Sequence, residues 1–103
     1  MWAQMITMTL KPGKEAELPR LIDQLRATEQ AGSGLVRSTA MRDDSDPSRV
    51  SFLVVFESEE RARQRESDPR RAEGLAAARA TMAEIFEGAP EFVDFTVVSE
   101  TTP

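Results

Sequence analysis

Histidine, cysteine, tyrosine and asparagine are all absent from this 103-residue chain. Each absence closes off chemistry. Without histidine there is no imidazole general base, and a Ser-His-Asp arrangement cannot be built. Without cysteine there is no thiolate nucleophile and no disulfide framework. With both missing, Cys/His zinc sites and the usual haem ligands are excluded as well, so no metal site is expected. The lack of disulfides makes a cytoplasmic location the simplest expectation. Positive charge is also short: 13 basic against 18 acidic residues give a net charge of −5. A nucleic-acid partner would call for a basic face that displaces counterions from phosphates, so none is expected. No apolar run approaches the ~18 residues that span a bilayer. The first residues, Met1-Trp-Ala-Gln-Met-Ile-Thr-Met, already read as a strand, with no basic leader region or cleavage site.

What remains is ordinary for a globular protein, at 40% hydrophobic and 30% charged residues. The length fits one domain over residues 1–103. Chemistry has to run on carboxylates, arginines, Lys11 and Lys14, hydroxyls, one tryptophan, backbone dipoles or the substrate itself.

Residues 2–10 alternate as a strand, with Trp2, Ile6, Met8 and Leu10 on one face and Ala3, Met5, Thr7 and Thr9 on the other. Lys11-Pro12-Gly13 breaks it. From Lys14 the spacing of Leu18, Leu21, Ile22 and Leu25 predicts a helix to about Ala31, stopped by Gly32-Ser33-Gly34. Residues 35–42 read as a more polar edge strand, and 43–48 as a loop. Residues 49–56 (Arg-Val-Ser-Phe-Leu-Val-Val-Phe) carry the near-continuous apolar run of a strand buried on both faces. Ser58 caps a short helix from Glu59 to about Glu66. Asp68-Pro69 opens a second, to about Glu87, with Leu75, Ala78, Met82, Ile85 and Phe86 as its apolar stripe. Gly88-Ala89-Pro90 ends that helix, residues 91–99 form the last strand, and 100–103 is a loose tail.

The order β-α-β-β-α-β gives the fold class α+β, a ferredoxin-like arrangement with both helices on one face of a four-stranded antiparallel sheet. The other face should then be polar, and it is not. The third strand puts Val50, Phe52, Val54 and Phe56 on one side and Leu53 and Val55 on the other. The last strand likewise divides Phe92 and Val98 from Val93, Phe95 and Val97. A bare second face would exceed the apolar patch usual on a monomer. Covering ~600 Å² of it on each subunit is worth roughly 15 kcal/mol per subunit before association costs. A homodimer, sheet against sheet, is therefore expected.

Lys11-Pro12-Gly13-Lys14 after the first strand and Phe56-Glu57-Ser58-Glu59-Glu60 after the third, in this layout, resemble the antibiotic biosynthesis monooxygenase family of dimeric α+β barrels. Members typically carry K-P-G-K/R before the first helix. After the third strand they carry W-x-S-x-E-A, with a histidine several residues into the next helix. The resemblance runs from Ala3 to Val98. It implies a ligand pocket between sheet and helices, a dimer closed through the opposite sheet face, and oxygenation without a cofactor. Two departures stand out: Phe56 occupies the frequent Trp position, and Arg65 the histidine position. The Asn-Trp-His set of the haem-degrading branch cannot be assembled, since two of its residue types do not occur here.

A cofactor-independent monooxygenase lets a deprotonated quinol or polyketide-like aromatic reduce O₂ directly. It needs a dry apolar pocket, a proton acceptor and positive charge near the developing anion. Phe52, Phe56, Met82, Ile85 and Phe86 are candidates to bind a small apolar or aromatic substrate, and at their spacing they also belong to a core. Trp2 suits packing at a strand end more than a pocket mouth. Arg65 is the candidate for anion stabilisation, although it shares a helix with Arg61 and Arg63. Its flanking pairs Glu57–Arg61, Glu59–Arg63 and Glu66–Arg70 read as surface i,i+4 contacts. Asp94, a carboxylate in mid-strand, would suit a general base if buried, with Arg37 its most plausible partner. The alternative to catalysis is a non-catalytic dimer of the same fold that binds a small ligand or serves as a structural subunit.

Overall fold

Strand β1 (Trp2–Leu10) lies inside the sheet because it pairs along both edges, antiparallel to β3 (Arg49–Phe56) and to β4 (Phe86–Thr96). β2 (Leu35–Arg42) adds antiparallel to β3, so the sheet order is β2-β3-β1-β4. A 3₁₀ turn at Glu15–Glu17 leads into helix α1 (Leu18–Arg26). Helix α2 (Glu59–Glu66) follows β3, and a second 3₁₀ turn at Pro69–Arg71 opens α3 (Ala72–Ile85). The computed structural model describes all residues from Met1 to Pro103. Its architecture is the α+β, ferredoxin-like one expected from the sequence. No helix is long and apolar enough to cross a membrane.

Register sorts the side chains by face. Trp2, Gln4, Ile6 and Met8 align with Phe56, Val54, Phe52 and Val50 of β3. On the other side Trp2, Gln4 and Ile6 align with Thr96, Asp94 and Phe92 of β4. This is the helix face, where Leu10, Val50, Phe52 and Phe86 pack with Leu18 and Leu21 of α1 and Ala78 and Ile85 of α3. A second cluster, Trp2, Phe56 and Ala62, closes the end of the sheet beneath α2. Trp2 is a packing residue: its ring lies 6.2 Å from that of Phe56, and the Arg63 guanidinium sits 5.4 Å above it.

Four local expectations are corrected. α1 ends at Arg26, not Ala31. Two tightened bonds, from the Thr28 N–H to Leu25 O and the Glu29 N–H to Arg26 O, close the helix there. The Thr28 hydroxyl also donates to Leu25 O at 2.7 Å. β4 starts at Phe86 and ends at Thr96, where 91–99 was expected. Gly88-Ala89-Pro90 is not a helix-ending loop but a bulge within β4. Thr7 pairs with Glu91 and Thr9 with Glu87, so three residues oppose Met8 alone. Gly88 takes φ +72° there, and at a bulge the missing Pro90 N–H is no loss. The pairing Glu66–Arg70 is also replaced: Glu66 meets Arg63 at 3.2 Å, and Arg70 turns to Asp68 at 2.6 Å.

Gly34 sets where α2 sits. Its carbonyl accepts from the Glu57 N–H, and at φ +84° a Cβ on it would lie 2.6 Å from Arg61 Cβ. Gly13 has a similar φ of +81° but open space around it. Gly13→Ala is therefore expected to cost about 1 kcal/mol of left-handed backbone strain, and Gly34→Ala about 2 kcal/mol or more. Urea midpoints measure both, and equal losses would mean that Arg61 yields freely. Asp68 caps the turn before α3. Hydrogen bonds from the Arg70 side chain and backbone N–H hold its carboxyl down at about 2. A depressed carboxyl stabilises the folded chain above its ordinary value, and that contribution fades as pH falls towards 2. An NMR titration of Asp68 should show the low midpoint, and Arg70→Ala should return it towards 3.8. An Asp68 midpoint that Arg70→Ala leaves unmoved would refute the assignment.

Candidate functional site

The turn after α1 is the junction from which the site is built. Thr28 is 2% exposed, and Gly74 of α3 makes room for it: a Cβ there would lie 2.9 Å from Thr28 Cγ2. The Thr28 hydroxyl accepts from Arg71 Nη2 at 3.2 Å, which ties the turn to the start of α3. Glu29, next in the chain, receives Arg65 of α2 as a two-pronged partner. Nη2 donates to Oε1, and Nε donates to Oε2 at 3.2 Å. Arg71 Nη2 approaches the same Oε1 at 3.9 Å. Arg71 is 5% exposed, its Nε has no partner, and Nη1 donates to Arg65 O at 3.3 Å. Burial, and then the neighbouring Arg65, push the Arg71 guanidinium below the ordinary arginine range. It remains charged at neutral pH. Two guanidiniums and one carboxylate thus leave one net positive charge in a half-buried knot.

A cleft of ≈ 400 Å³, open to solvent along β2, lies beside this knot, between α1 and β2. Ile22 and Leu25 of α1, Ala40 of β2 and Phe52 of β3 form its apolar walls; Ser38 of β2, Arg26 and Glu29 supply polar groups, and Thr39 borders it from β2 with its side chain on the opposite sheet face. Its size lies within the range of small-molecule sites. Glu29 is the one carboxylate in this lining, and it is the group that Arg65 grips.

The candidates from sequence are dispersed. Phe52 lines the cavity. Ile85 and Phe86 are 0% and 8% exposed in the main core, and Met82 packs against that core. Phe56 lies in the second cluster, with the Arg65 guanidinium 5.3 Å above its ring. Arg65 reaches the cavity only through Glu29. Asp94 is on the edge strand β4, half-exposed, accepting from Gln4 Nε2 at 2.9 Å and lying 4.0 Å from Arg63. The burial on which a base role rested is not there. Arg37 is not its partner, because register puts Arg37 on the face away from the helices, where it meets Glu100 at 2.6 Å. Sequence reasoning missed Glu29 and Ser38. Glu29 had been read as part of a helix, and only the pairing with Arg65, 36 residues away, marks it out.

Residues 1–73 match the family model for antibiotic biosynthesis monooxygenase. No curated protein matches the chain in sequence. Among solved structures, an antibiotic biosynthesis monooxygenase-type protein from Caulobacter crescentus CB15 superimposes with TM-score 0.77 at 20% identity, over 95% of this chain and 90% of its own. One of the same description from Nitrosomonas europaea gives 0.76 at 13% identity, over 96% and 100%. SnoaB from Streptomyces nogalater, a cofactor-independent oxygenase, gives 0.72 at 20% identity, over 99% and 96%. At these identities the likeness is one of fold.

Removing the carboxylate should leave two guanidiniums facing each other, one of them buried. Glu29→Ala is expected to cost about 2 kcal/mol, below the loss for a fully buried pair because Glu29 keeps some solvent contact. Asp94→Ala, at an exposed site, should fall within about 0.5 kcal/mol of the parent. Urea unfolding measures both; a neutral Glu29→Ala would show that the knot contributes no stability.

Proposed function

The chain belongs to the antibiotic biosynthesis monooxygenase family, and from that premise we propose that it is a cofactor-independent monooxygenase of a small aromatic quinol or polyketide-like substrate, working as a homodimer. The observation that carries this reading is the cavity between α1 and β2, where apolar walls meet one clamped carboxylate backed by surplus positive charge. SnoaB, of the same fold, is a cofactor-independent oxygenase.

The electron balance closes without a cofactor. A hydroquinone and O₂ give a hydroxyquinone and water; an anthrone methylene and O₂ give a carbonyl and water. In each, the substrate supplies all the electrons that oxygen accepts. The protein has three tasks. Ile22, Leu25 and Phe52 give the ring an apolar wall to lie against. The Ser38 hydroxyl and Glu29 orient the phenolic group, and Glu29 is the acceptor within reach for its proton. The net charge of the Arg65–Arg71–Glu29 knot favours the phenolate or enolate that reduces O₂. Arg65 thus works through Glu29. Phe56, Met82, Ile85 and Phe86 support the cavity wall from behind, and Asp94 takes no part.

One observation favours the alternative, a non-catalytic binder of small apolar ligands: both Glu29 oxygens are engaged by Arg65. Oxygen uptake with a panel of hydroquinones and anthrones, with no flavin or metal added, separates the two. Uptake is expected to match product one to one. Glu29→Gln should lower the rate by about 10²-fold or more, and Ala40→Trp, which fills the cavity without touching the knot, should abolish turnover. Tight binding with no oxygen uptake would establish the binding reading. Unchanged turnover by Ala40→Trp would remove the cavity as the site.

A further inference from the structure

Arg65 also borders a second, smaller hollow of ≈ 130 Å³ that has no apolar residue in its lining. The Gly32-Ser33 turn, Arg61 and Arg65 of α2, and Asp68 and Arg70 at the turn into α3 surround it. Each of the three guanidiniums is anchored by a partner in the chain and keeps one amino group unused. Arg65 grips Glu29 through Nε and Nη2. Arg70 takes Asp68 in the same side-on manner, with Nε 3.0 Å from Oδ1 and Nη2 2.6 Å from Oδ2. Arg61 Nη2 donates to Gly32 O, and its stem lies against Gly34, where a Cβ would come within 2.6 Å of Arg61 Cβ. Arg61 Nη1 stands 3.8 Å from Glu57, beyond hydrogen-bond distance. The Nη1 groups of Arg65 and Arg70 are likewise left over, because a side-on grip uses Nε and Nη2.

We propose that this hollow binds a small doubly charged oxyanion, inorganic phosphate or a phosphate monoester, on the Nη1 groups of Arg61, Arg65 and Arg70. Charge favours it: Arg61, Arg65, Arg70 and the buried Arg71 stand against Glu29, Glu57 and Asp68, which leaves one positive charge over. Asp68 does not meet the guest as a free carboxylate, since both of its oxygens accept from Arg70. Size favours it too. The hollow lies below the ~300 Å³ at which sites for larger ligands begin, yet it has room for an ion of about five heavy atoms. Three separately anchored amino groups ask for three acceptor oxygens, which a phosphate offers and a carboxylate does not. Because their partners already hold the guanidiniums, little side-chain ordering is left for the guest to impose. A large polyanion would also meet the acids spread over a chain of net charge −5, whereas a small ion meets the arginines alone. The site is separate from the oxygenase reading, although Arg65 serves both.

Calorimetric titration of the full-length chain with inorganic phosphate, at constant ionic strength and mildly alkaline pH, tests the site. The parent should bind phosphate saturably with a dissociation constant of about 1 mM or below. Acetate should bind about tenfold more weakly or worse. Arg61→Gln and Arg70→Gln each remove one donor group and should weaken phosphate by about tenfold or more. Arg42→Gln removes the same charge at the far end of β2 from Gly34 and should bind like the parent. Circular dichroism checks the fold. The Arg70 side chain is 62% exposed, so Arg70→Gln should leave the fold intact, and that variant decides should Arg61→Gln perturb it. A parallel titration with glycerol phosphate identifies the guest: tighter binding than inorganic phosphate supports the site as one for a monoester, and weaker binding supports it as one for the free ion. A parent without saturable phosphate binding overturns the site. So does acetate bound as tightly as phosphate, or a loss in Arg42→Gln equal to that in Arg70→Gln. No aromatic substrate enters these titrations, so their failure leaves the oxygenase reading standing.

Discussion

The two inner strands of this sheet are apolar on both sides, and the rest of the molecule is arranged around that constraint. β1 and β3 send Leu10, Val50, Phe52 and Phe56 towards the helices, and Met5, Leu53 and Val55 away from them. α1 and α3 cover the first set and α2 the end of it. Nothing helical is left for the second set. The segment after β4 reaches across one end of that face, where Ala3 and Val55 are buried, and Thr7–Ser51, Arg37–Glu100 and Arg49–Glu91 pair on it. Hydrophobic burial scales with area and has no direction of its own.

The helix side has a comparable division of labour. Packing of Leu21, Ala78 and Ile85 fixes α1 against α3, whereas the turn beyond α1 is fixed by polar contacts. Thr28 and Glu29 are gripped by Arg71 and Arg65, which enter from different elements. A buried guanidinium is costly to desolvate, and an apolar substitute would pack at least as well. Its value here is positional. The knot follows directly on the end of α1 at Arg26 and holds Glu29 at the edge of the cleft.

Much of this was legible in the sequence. Period-two alternation located β1, a polar edge-strand composition β2 and a near-continuous apolar run β3, and Ser58 and Asp68 marked the starts of α2 and of the turn into α3. What failed was decided by contacts far apart in the chain. Ala27 to Ala31 contain good helix formers, so local propensity extends α1, but the long-range pull on Thr28 and Glu29 wins. Gly88-Ala89-Pro90 has the composition of a loop, and only the pairing of Thr7 with Glu91 and Thr9 with Glu87 makes it a bulge. Arg37 and Asp94 looked like natural partners by type, yet register sets them on opposite faces. Glu29 carries no local signature, because its meaning comes from Arg65 and Arg71. Arg65, at the family's histidine position, is paired with Glu29.

The central claim is that the second sheet face is covered in the working molecule, and hydroxyl-radical footprinting across a dilution series examines it directly. Phe95 and Met5 lie on that face, while Phe92, 59% exposed, lies on the helix side of the same edge strand. At micromolar concentration Phe95 and Met5 should be protected and should become labelled on dilution, with Phe92 labelled throughout. If Phe95 labels as readily as Phe92 at every concentration, the face is open to water and the account is wrong.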